Sequence, residues 1–358
     1  MPGVYVAYPF CAQKCAFCNF ASGVWPRALE ARYREALAAE IRAHRWEWRP
    51  ETVYLGGGTP SNMDAGALAA LLALIPGRPW IEATIEAAPG DITAERARAW
   101  AAAGINRVSL GVQSFVELEI RRTGRKHSAQ TVADELALLR AAGIHNCNID
   151  LIAGLSGQTE ASWRESLDWI ERLAPEHVSV YMLEVDEESR LGREILRGGT
   201  RYGAAETPSG DQTADLYEIA VERLAAAGIP RYEISNFARP GRESRHNLKY
   251  WRLEAYVGFG ADAHSFDGCV RRENPESVPA YLASEPGHST RACLEEERFF
   301  VGLRLTDGIR PEAAEWQRFE RPIRRFLDAG LLETSDGSLR LTKRGVLLSN
   351  EVFQEFLL

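Results

Sequence analysis

Cys11-Ala12-Gln13-Lys14-Cys15-Ala16-Phe17-Cys18 decides how this chain is read. Three cysteines stand at C-x3-C-x2-C, just after the short apolar run Val4-Tyr5-Val6-Ala7-Tyr8. Cysteine thiolates hold iron–sulfur clusters, and a four-iron cubane held by three of them keeps one iron without a protein ligand. That iron can take a small chelating molecule, which a fully ligated electron carrier cannot. Zinc is the competing reading, but structural zinc takes four ligands, commonly from cysteine pairs. Cys147, Cys269 and Cys293 stand alone and make no second pair. From the loop alone, cluster, zinc and incidental placement all stand, with the cluster ahead.

Outward from the loop, strand and helix patterns alternate. Strands are expected over 4–8, 52–55, 81–87, 107–112, 148–152 and 177–183, with helical patterns over 28–45, 65–74, 93–103, 128–142 and 159–173. Six strands with helices between them predict an α/β fold with a parallel sheet and the helices outside it. A polar, glycine-rich connection over 198–210 leads to a helix over 211–227. Residues 232–266 are rich in Gly, Asn, His and aromatics and show little periodicity. Beyond Ser277 helices are expected over 294–303, 311–319 and 322–329, then a hairpin at Asp336-Gly337 and a last helix over 343–356. Helices followed by a small β-wing predict a winged-helix-like α+β appendix. The division is a first domain over 1–275 and a C-terminal one over 276–358.

Composition narrows the functional classes. A net charge of −8 argues against a polyanion binder, so no nucleic-acid partner is expected. Arg321, Arg324, Arg325, Arg340, Lys343 and Arg344 in the appendix are the one feature against this, and such runs are usually solvated faces. With three of six cysteines in one loop, a reducing compartment is indicated rather than a disulfide framework. The chain opens directly on its first strand, and no apolar run approaches the ~18 residues of a membrane span. A cytoplasmic protein without membrane insertion is expected.

Gly56-Gly57-Gly58-Thr59-Pro60 follows the second strand, where glycines let a backbone approach a ligand. Glu86, Gln113 and Asp150 stand at the ends of later strands and Arg125 shortly after the fourth. In parallel sheets and barrels, ligands gather at those strand ends. Singly, each of these residues reads as a cap or a surface ion pair.

Cysteine spacing, Phe17 before the last cysteine and the Gly-Gly-Thr-Pro turn together resemble the radical S-adenosylmethionine (SAM) superfamily. The resemblance implies a partial (β/α)6 barrel, a [4Fe-4S] cluster on Cys11, Cys15 and Cys18, and SAM as cofactor. Tyr5-Val-Ala-Tyr-Pro-Phe-Cys11, Leu55-Gly-Gly-Gly-Thr-Pro60, Leu110-Gly-Val-Gln-Ser-Phe115 and Ile149-Asp-Leu-Ile-Ala-Gly154 are similar to the oxygen-independent coproporphyrinogen III oxidase group. That likeness implies SAM contacts at Tyr5, Phe17, Gly57, Gly58, Thr59, Glu86, Gln113, Arg125 and Asp150. One departure is Ser156, where the group has proline.

Two features separate this chain from the oxidases of the group. Phe20 stands where they carry a further cysteine, and their N-terminal extension is missing. Both point to the group's heme-chaperone branch, whose H-N-x-x-Y-W motif is here His246-Asn247-Leu248-Lys249-Tyr250-Trp251. The resemblance implies heme contacts at His246, Asn247, Tyr250 and Trp251, near the barrel mouth, with His264 as a competing ligand. It further implies apo-hemoprotein acceptors, with peripheral membrane association where an acceptor is membrane-attached. No catalytic residue is assigned. The alternative is a coproporphyrinogen III oxidase of porphyrin biosynthesis.

Overall fold

The computed structural model describes residues 2–357. Six strands run parallel and side by side in chain order: β1 (Gly3–Tyr8), β2 (Thr52–Gly57), β3 (Glu82–Ala87), β4 (Arg107–Gln113), β5 (Asn146–Ala153) and β6 (His177–Met182). Between them lie α1 (Arg27–Ala43), α2 (Ala65–Leu72), α3 (Ala94–Ala102), α4 (Glu117–Thr123), α5 (Ala129–Ala141) and α6 (Glu160–Leu173). The alternation expected from sequence is the one found. Only the short α4 was unmarked, because it adds two turns directly after β4.

Alternate residues of each strand make the helices pack outside. Val4 and Val6, Val53 and Leu55, Val108 and Leu110, Ile149 and Leu151, Val178 and Val180 are buried on one face. Against them lie Leu37 and Ile41 of α1, Leu68 and Leu72 of α2, Leu136 and Leu139 of α5, and Trp163 and Ile170 of α6. Each such side chain contributes about 1.5–3 kcal/mol on burial, so this face fixes the layer order. The other face is polar. It carries Thr52 and Tyr54, Glu82, Thr84 and Glu86, Arg107 and Ser109, Asn148 and Asp150, His177 and Ser179. Parallel sheets are ordinarily apolar on both faces. A polar inner face on five successive strands is therefore a departure from that rule, and it gives the barrel interior a hydrogen-bonded lining.

After β6 come α7 (Arg190–Leu196), α8 (Gly210–Ala226), β7 (Asn236–Ala238), α9 (Arg245–Trp251), β8 (Tyr256–Phe259), β9 (His264–Phe266), β10 (Val270–Glu273), α10 (Val278–Leu282) and β11 (His288–Arg291). β7 pairs antiparallel with β6. β8 pairs parallel with β1, and β9 to β11 continue the sheet antiparallel. Among the described residues the sheet has eleven strands. The stretch read as irregular, 232–266, is thus three strands and a helix. Strands of three or four residues are too short to display a period of two.

β11 lies inside the region assigned to the appendix, yet it belongs to the main sheet. The division expected at 275/276 cuts that sheet. The appendix begins at α11 (Leu294–Gly302), followed by α12 (Ala313–Arg318), α13 (Glu320–Asp328), the hairpin β12 (Leu332–Ser335) and β13 (Ser338–Leu341), α14 (Lys343–Leu347) and α15 (Ser349–Phe353). Asp336 and Gly337 both have positive φ, as a two-residue hairpin turn requires. The single last helix expected over 343–356 is broken at Leu348. Phe299, Phe319 and Phe356 pack on one another at 4.6–5.5 Å in the appendix core, with Phe299 stacked on Phe356. Three of its arginines are paired locally: Arg324 with Glu320, Arg325 with Glu355 and Arg340 with Glu333.

Candidate functional site at the upper end of the barrel

All six strands end at the same side, called here the upper end. The cysteine loop leaves β1 there and is closed at its base: the Cys11 N–H donates to Gly23 O (2.8 Å) and the Gly23 N–H to Pro9 O (2.9 Å). Its far side is held by the Ala16 N–H on Thr123 O of α4 and by the Leu191 N–H of α7 on Ala16 O. Burial raises the Cys11 thiol. Hydrogen bonds from Thr59 and Ser22 oppose that rise, and the thiolates of Cys18 and Cys15 add to it. Three half-buried thiols close enough to feel one another suit a shared polynuclear ligand. Phe17 lines a small cavity with Thr123, Leu155, Leu191 and Tyr202.

Thr59 ties the glycine turn to this loop through its N–H on Phe10 O (2.9 Å). Gly58 must be glycine, since a Cβ would lie 2.7 Å from Tyr8 O and 2.8 Å from Pro9 C. Gly57 has φ of 100° and turns its N–H onto Glu86 Oε2 (3.2 Å). Glu86 Oε1 accepts from the Tyr54 hydroxyl at 2.9 Å. Burial, reinforced by Asp150, lifts the Glu86 carboxyl to about 7. Asp150 accepts from Asn148 Nδ2 (2.7 Å) and Ser109 Oγ (3.3 Å), and burial raises it as well.

Gln113 closes β4 with φ of 73°, uncommon for a non-glycine residue, at a break in the register with β5. Such strain concentrates at functional positions. Arg125 reaches back over Gly111, donating to its carbonyl at 2.6 Å, while its Nε is buried without a partner. Gly111 has no side chain to block it: a Cβ there would meet Gln113 Nε2 and Arg125 Nη2 at 3.1 and 3.3 Å. A guanidinium with a spare donor suits a carboxylate ligand. Tyr5 stacks on Tyr54 at 6.1 Å and carries its hydroxyl toward Gly57. The nine residues expected to contact SAM thus lie on β1 to β5 or on the segments that leave their upper ends. Tyr54, Ser109, Asn148 and Ser179 support them and were not singled out from sequence. Their signal was available, as polar residues at every second position of strands that should be apolar on both faces.

The H-N-x-x-Y-W motif is elsewhere. α9 closes the lower end of the barrel, where strands begin, and not the mouth. Glu82, the first residue of β3, accepts the N–H groups of Arg245 (3.0 Å) and His246 (2.9 Å) at the helix start. His246 is fully buried. Its Nδ1 is hydrogen-bonded to Thr52 Oγ1 (2.9 Å) and its Nε2 to the Tyr250 hydroxyl (2.8 Å). Burial pushes the imidazole down to about 3. Tyr250 packs edge-on to Tyr256 at 4.7 Å, Trp251 lies under the Arg304 guanidinium, and the Asn247 N–H caps onto Ser244. The expected place at the mouth is therefore corrected. The sequence marked an irregular stretch after the sheet, but not the end of the barrel it returns to.

Comparison with known proteins agrees with this geometry. Residues 5–170 match the radical SAM superfamily and residues 294–348 the HemN C-terminal domain. The chain is 34% identical over 381 residues to heme chaperone HemW of Bacillus subtilis, covering 100% of this chain and 99% of that protein. It is 34% identical to heme chaperone HemW of Lactococcus lactis, covering 99% and 97%. Its fold superposes on coproporphyrinogen III oxidase (HemN) from Escherichia coli with a TM-score of 0.81 at 23% identity, covering 99% of this chain and 90% of that one. The chain is a radical SAM protein, a class built around a [4Fe-4S] cluster and SAM. Within that superfamily it belongs to the HemW family of heme chaperones. Among the described residues no helix is long and apolar enough to cross a membrane.

Proposed function

We propose that this protein holds a [4Fe-4S] cluster on Cys11, Cys15 and Cys18, binds SAM across the upper ends of β1 to β5, and carries heme from that mouth to apo-hemoproteins. One observation supports the reading above the rest. The cysteine loop, the glycine turn, Glu86, Gln113, Arg125 and Asp150 are distant in sequence, yet they converge on one mouth with bonding capacity to spare. When bound, the cluster supplies an open iron and a one-electron reductant for SAM. The chain's own residues do the rest. Arg125 takes the SAM carboxylate, Glu86 with the Gly57–Thr59 turn the amino group, and Asp150 the ribose hydroxyls. Tyr5, Phe17 and Gln113 line the walls.

Phe20, 68% exposed on the cysteine loop, favours the chaperone over the oxidase. An exposed phenyl ring there offers apolar surface to a macrocycle or an acceptor and supplies no thiol. The net charge and the locally paired arginines of the appendix support acceptors other than nucleic acid. We place the protein in the cytoplasm, where a three-thiolate cluster loop stays reduced, touching the membrane only through membrane-attached acceptors. The test is an anaerobic titration of the cluster-loaded protein with heme, then mixing with an apo-hemoprotein. Saturable binding and transfer are expected. Conversion of coproporphyrinogen III to protoporphyrinogen IX, with no heme transfer, would replace this reading with the enzyme.

A further inference from the structure

β6 opens on a histidine that the proposed site does not use. His177 is fully buried on the inner face, where the strand begins. In the sheet register it stands beside Asn148 of β5, which stands beside Ser109 of β4. Asp150 is two residues beyond Asn148 and so projects from the same face, nearer the mouth.

Hydrogen bonds join these groups in series. His177 Nε2 is 2.9 Å from the Tyr232 hydroxyl, and His177 Nδ1 is 2.6 Å from Asn148 Oδ1. The Tyr232 hydroxyl accepts from the Ser244 N–H (3.2 Å) at the start of α9. Asn148 Nδ2 donates to Asp150 Oδ1 (2.7 Å) and to Ser109 Oγ (2.7 Å), and Ser109 Oγ donates to Asp150 Oδ2 (3.3 Å). Ser179 Oγ is 3.2 Å from Asn148 Oδ1 but closer to Asn236 Oδ1, at 2.9 Å. His177 is thus the nearest donor that Asn148 Oδ1 has.

The chemistry of the groups leaves one arrangement of protons. The ionised carboxylate that takes two ribose hydroxyls only accepts, so Asn148 turns its nitrogen to Asp150 and its oxygen away. That oxygen also only accepts, so the His177 proton is on Nδ1. Burial, with the Arg107 guanidinium near, holds this imidazole well below its usual range, so it is neutral and Nε2 is bare. The bare nitrogen accepts from the Tyr232 O–H. Each donor from the Ser244 N–H to the Asn148 amide therefore points toward Asp150. Turning the amide over would set Asn148 Oδ1 against the carboxylate, and the Nδ1 proton opposes that turn.

We propose that His177 is a positioning residue for SAM: fixed as the Nδ1–H tautomer, it locks the Asn148 amide and through it aims the Asp150 carboxylate at the ribose hydroxyls. This rests on the placing of SAM above. His177 itself need not touch the ligand, since two side chains carry its effect from the lower half of the barrel to the mouth.

The experiment titrates cluster-loaded wild type, His177→Gln, His177→Asn and Asn148→Ala by calorimetry with SAM and with an analogue of SAM lacking both ribose hydroxyls. A glutamine oxygen can stand in for Nε2 and accept from Tyr232, but it leaves Asn148 without its donor. An asparagine amide can stand in for Nδ1 and keep that donor while abandoning Tyr232. His177→Gln should bind SAM about tenfold more weakly, as when one hydrogen bond to a charged group is lost, and should bind the analogue as wild type does. Asn148→Ala removes the relayed donor itself and should show the same selective loss. His177→Asn should keep wild-type affinity for both ligands. Unchanged SAM affinity in His177→Gln or Asn148→Ala, equal losses of SAM and analogue, or loss of SAM by His177→Asn would overturn the positioning role and leave the SAM site standing. A wild type that binds SAM and the analogue alike would overturn the placing of the ribose on Asp150 and this proposal with it.

Discussion

The two ends of the barrel are built from the same residue types and do opposite things. At the lower end Glu82, Thr52 and His246 are buried and Tyr250 is half-buried, and each has hydrogen bonds made within the protein. At the upper end Glu86, Asp150, Gln113 and Arg125 are also largely buried, yet a carboxyl is lifted to about 7, a backbone is strained and a guanidinium Nε is orphaned. The ends are one side chain apart: Tyr54 stacks on His246 at 5.3 Å and donates to Glu86. Polarity and motif do not distinguish a site from a strut. The motif residues of the lower end have their hydrogen bonds made whereas Arg125 Nε at the upper end does not, although Thr84 Oγ1, Arg107 Nε and Asn146 Oδ1 on the lower half of the strands are unpartnered as well. An unpaired buried polar group costs about 1–3 kcal/mol unless a ligand completes it.

The contrast can be broken most violently at the cysteine loop. Cys11→Ala, Cys15→Ala or Cys18→Ala should take the anaerobic protein from about four irons to none, read by iron analysis and visible absorbance. Retention of a full cluster in the triple variant would detach the cluster from the upper end. The lower end should fail differently. His246→Ala strips partners from Thr52 and Tyr250 and leaves a void, so urea denaturation should show a loss of about 2–4 kcal/mol. Burial keeps this imidazole neutral, so its contribution is full above pH 6.5 and declines as pH falls toward 3. The gap between wild type and variant should narrow over that window, and a gap that widens on acidification would contradict the strut.

Arg125→Ala should weaken SAM binding by about 1.5–3 kcal/mol and Asp150→Ala by about 1–3 kcal/mol, measured calorimetrically on cluster-loaded protein. The smallest effect is titration of Glu86. Its carboxyl is raised, so without ligand its contribution to stability is complete below pH 4.5 and is lost as pH rises through about 7. In the proposed site the ionised form would hold the SAM amino group. Affinity should therefore climb between pH 6 and 8, by no more than about tenfold per pH unit, and Glu86→Gln should flatten the climb. An identical slope in the variant would assign the titration to another group.

Much of this was legible before any coordinates. The cysteine spacing, the glycine turn and the six-fold alternation carried the barrel and the cluster end, because long elements repeat their period often enough to be counted. Glu86, Gln113 and Asp150 were singled out through their places at strand ends, where the structure has them. Tyr54, Asn148 and Ser179 were overlooked because each, taken singly, looks like an ordinary strand residue, and only their recurrence at every second position marks the inner face. β7 to β9 escaped for lack of length. The place of His246 was hidden for a different reason: a motif records that residues matter together, whereas the partners of His246, Thr52 at 194 positions' remove and Tyr250 one turn on, emerge only from the fold.

The crossed measurement on Arg125→Ala and His246→Ala tests the contrast most directly. Each variant is loaded with its cluster, titrated with SAM by calorimetry and unfolded in urea. Arg125→Ala should lose SAM affinity and keep wild-type stability, whereas His246→Ala should lose stability and keep SAM affinity. A His246→Ala protein that is as stable as wild type but no longer binds SAM would contradict the division of the barrel into an end that binds and an end that holds.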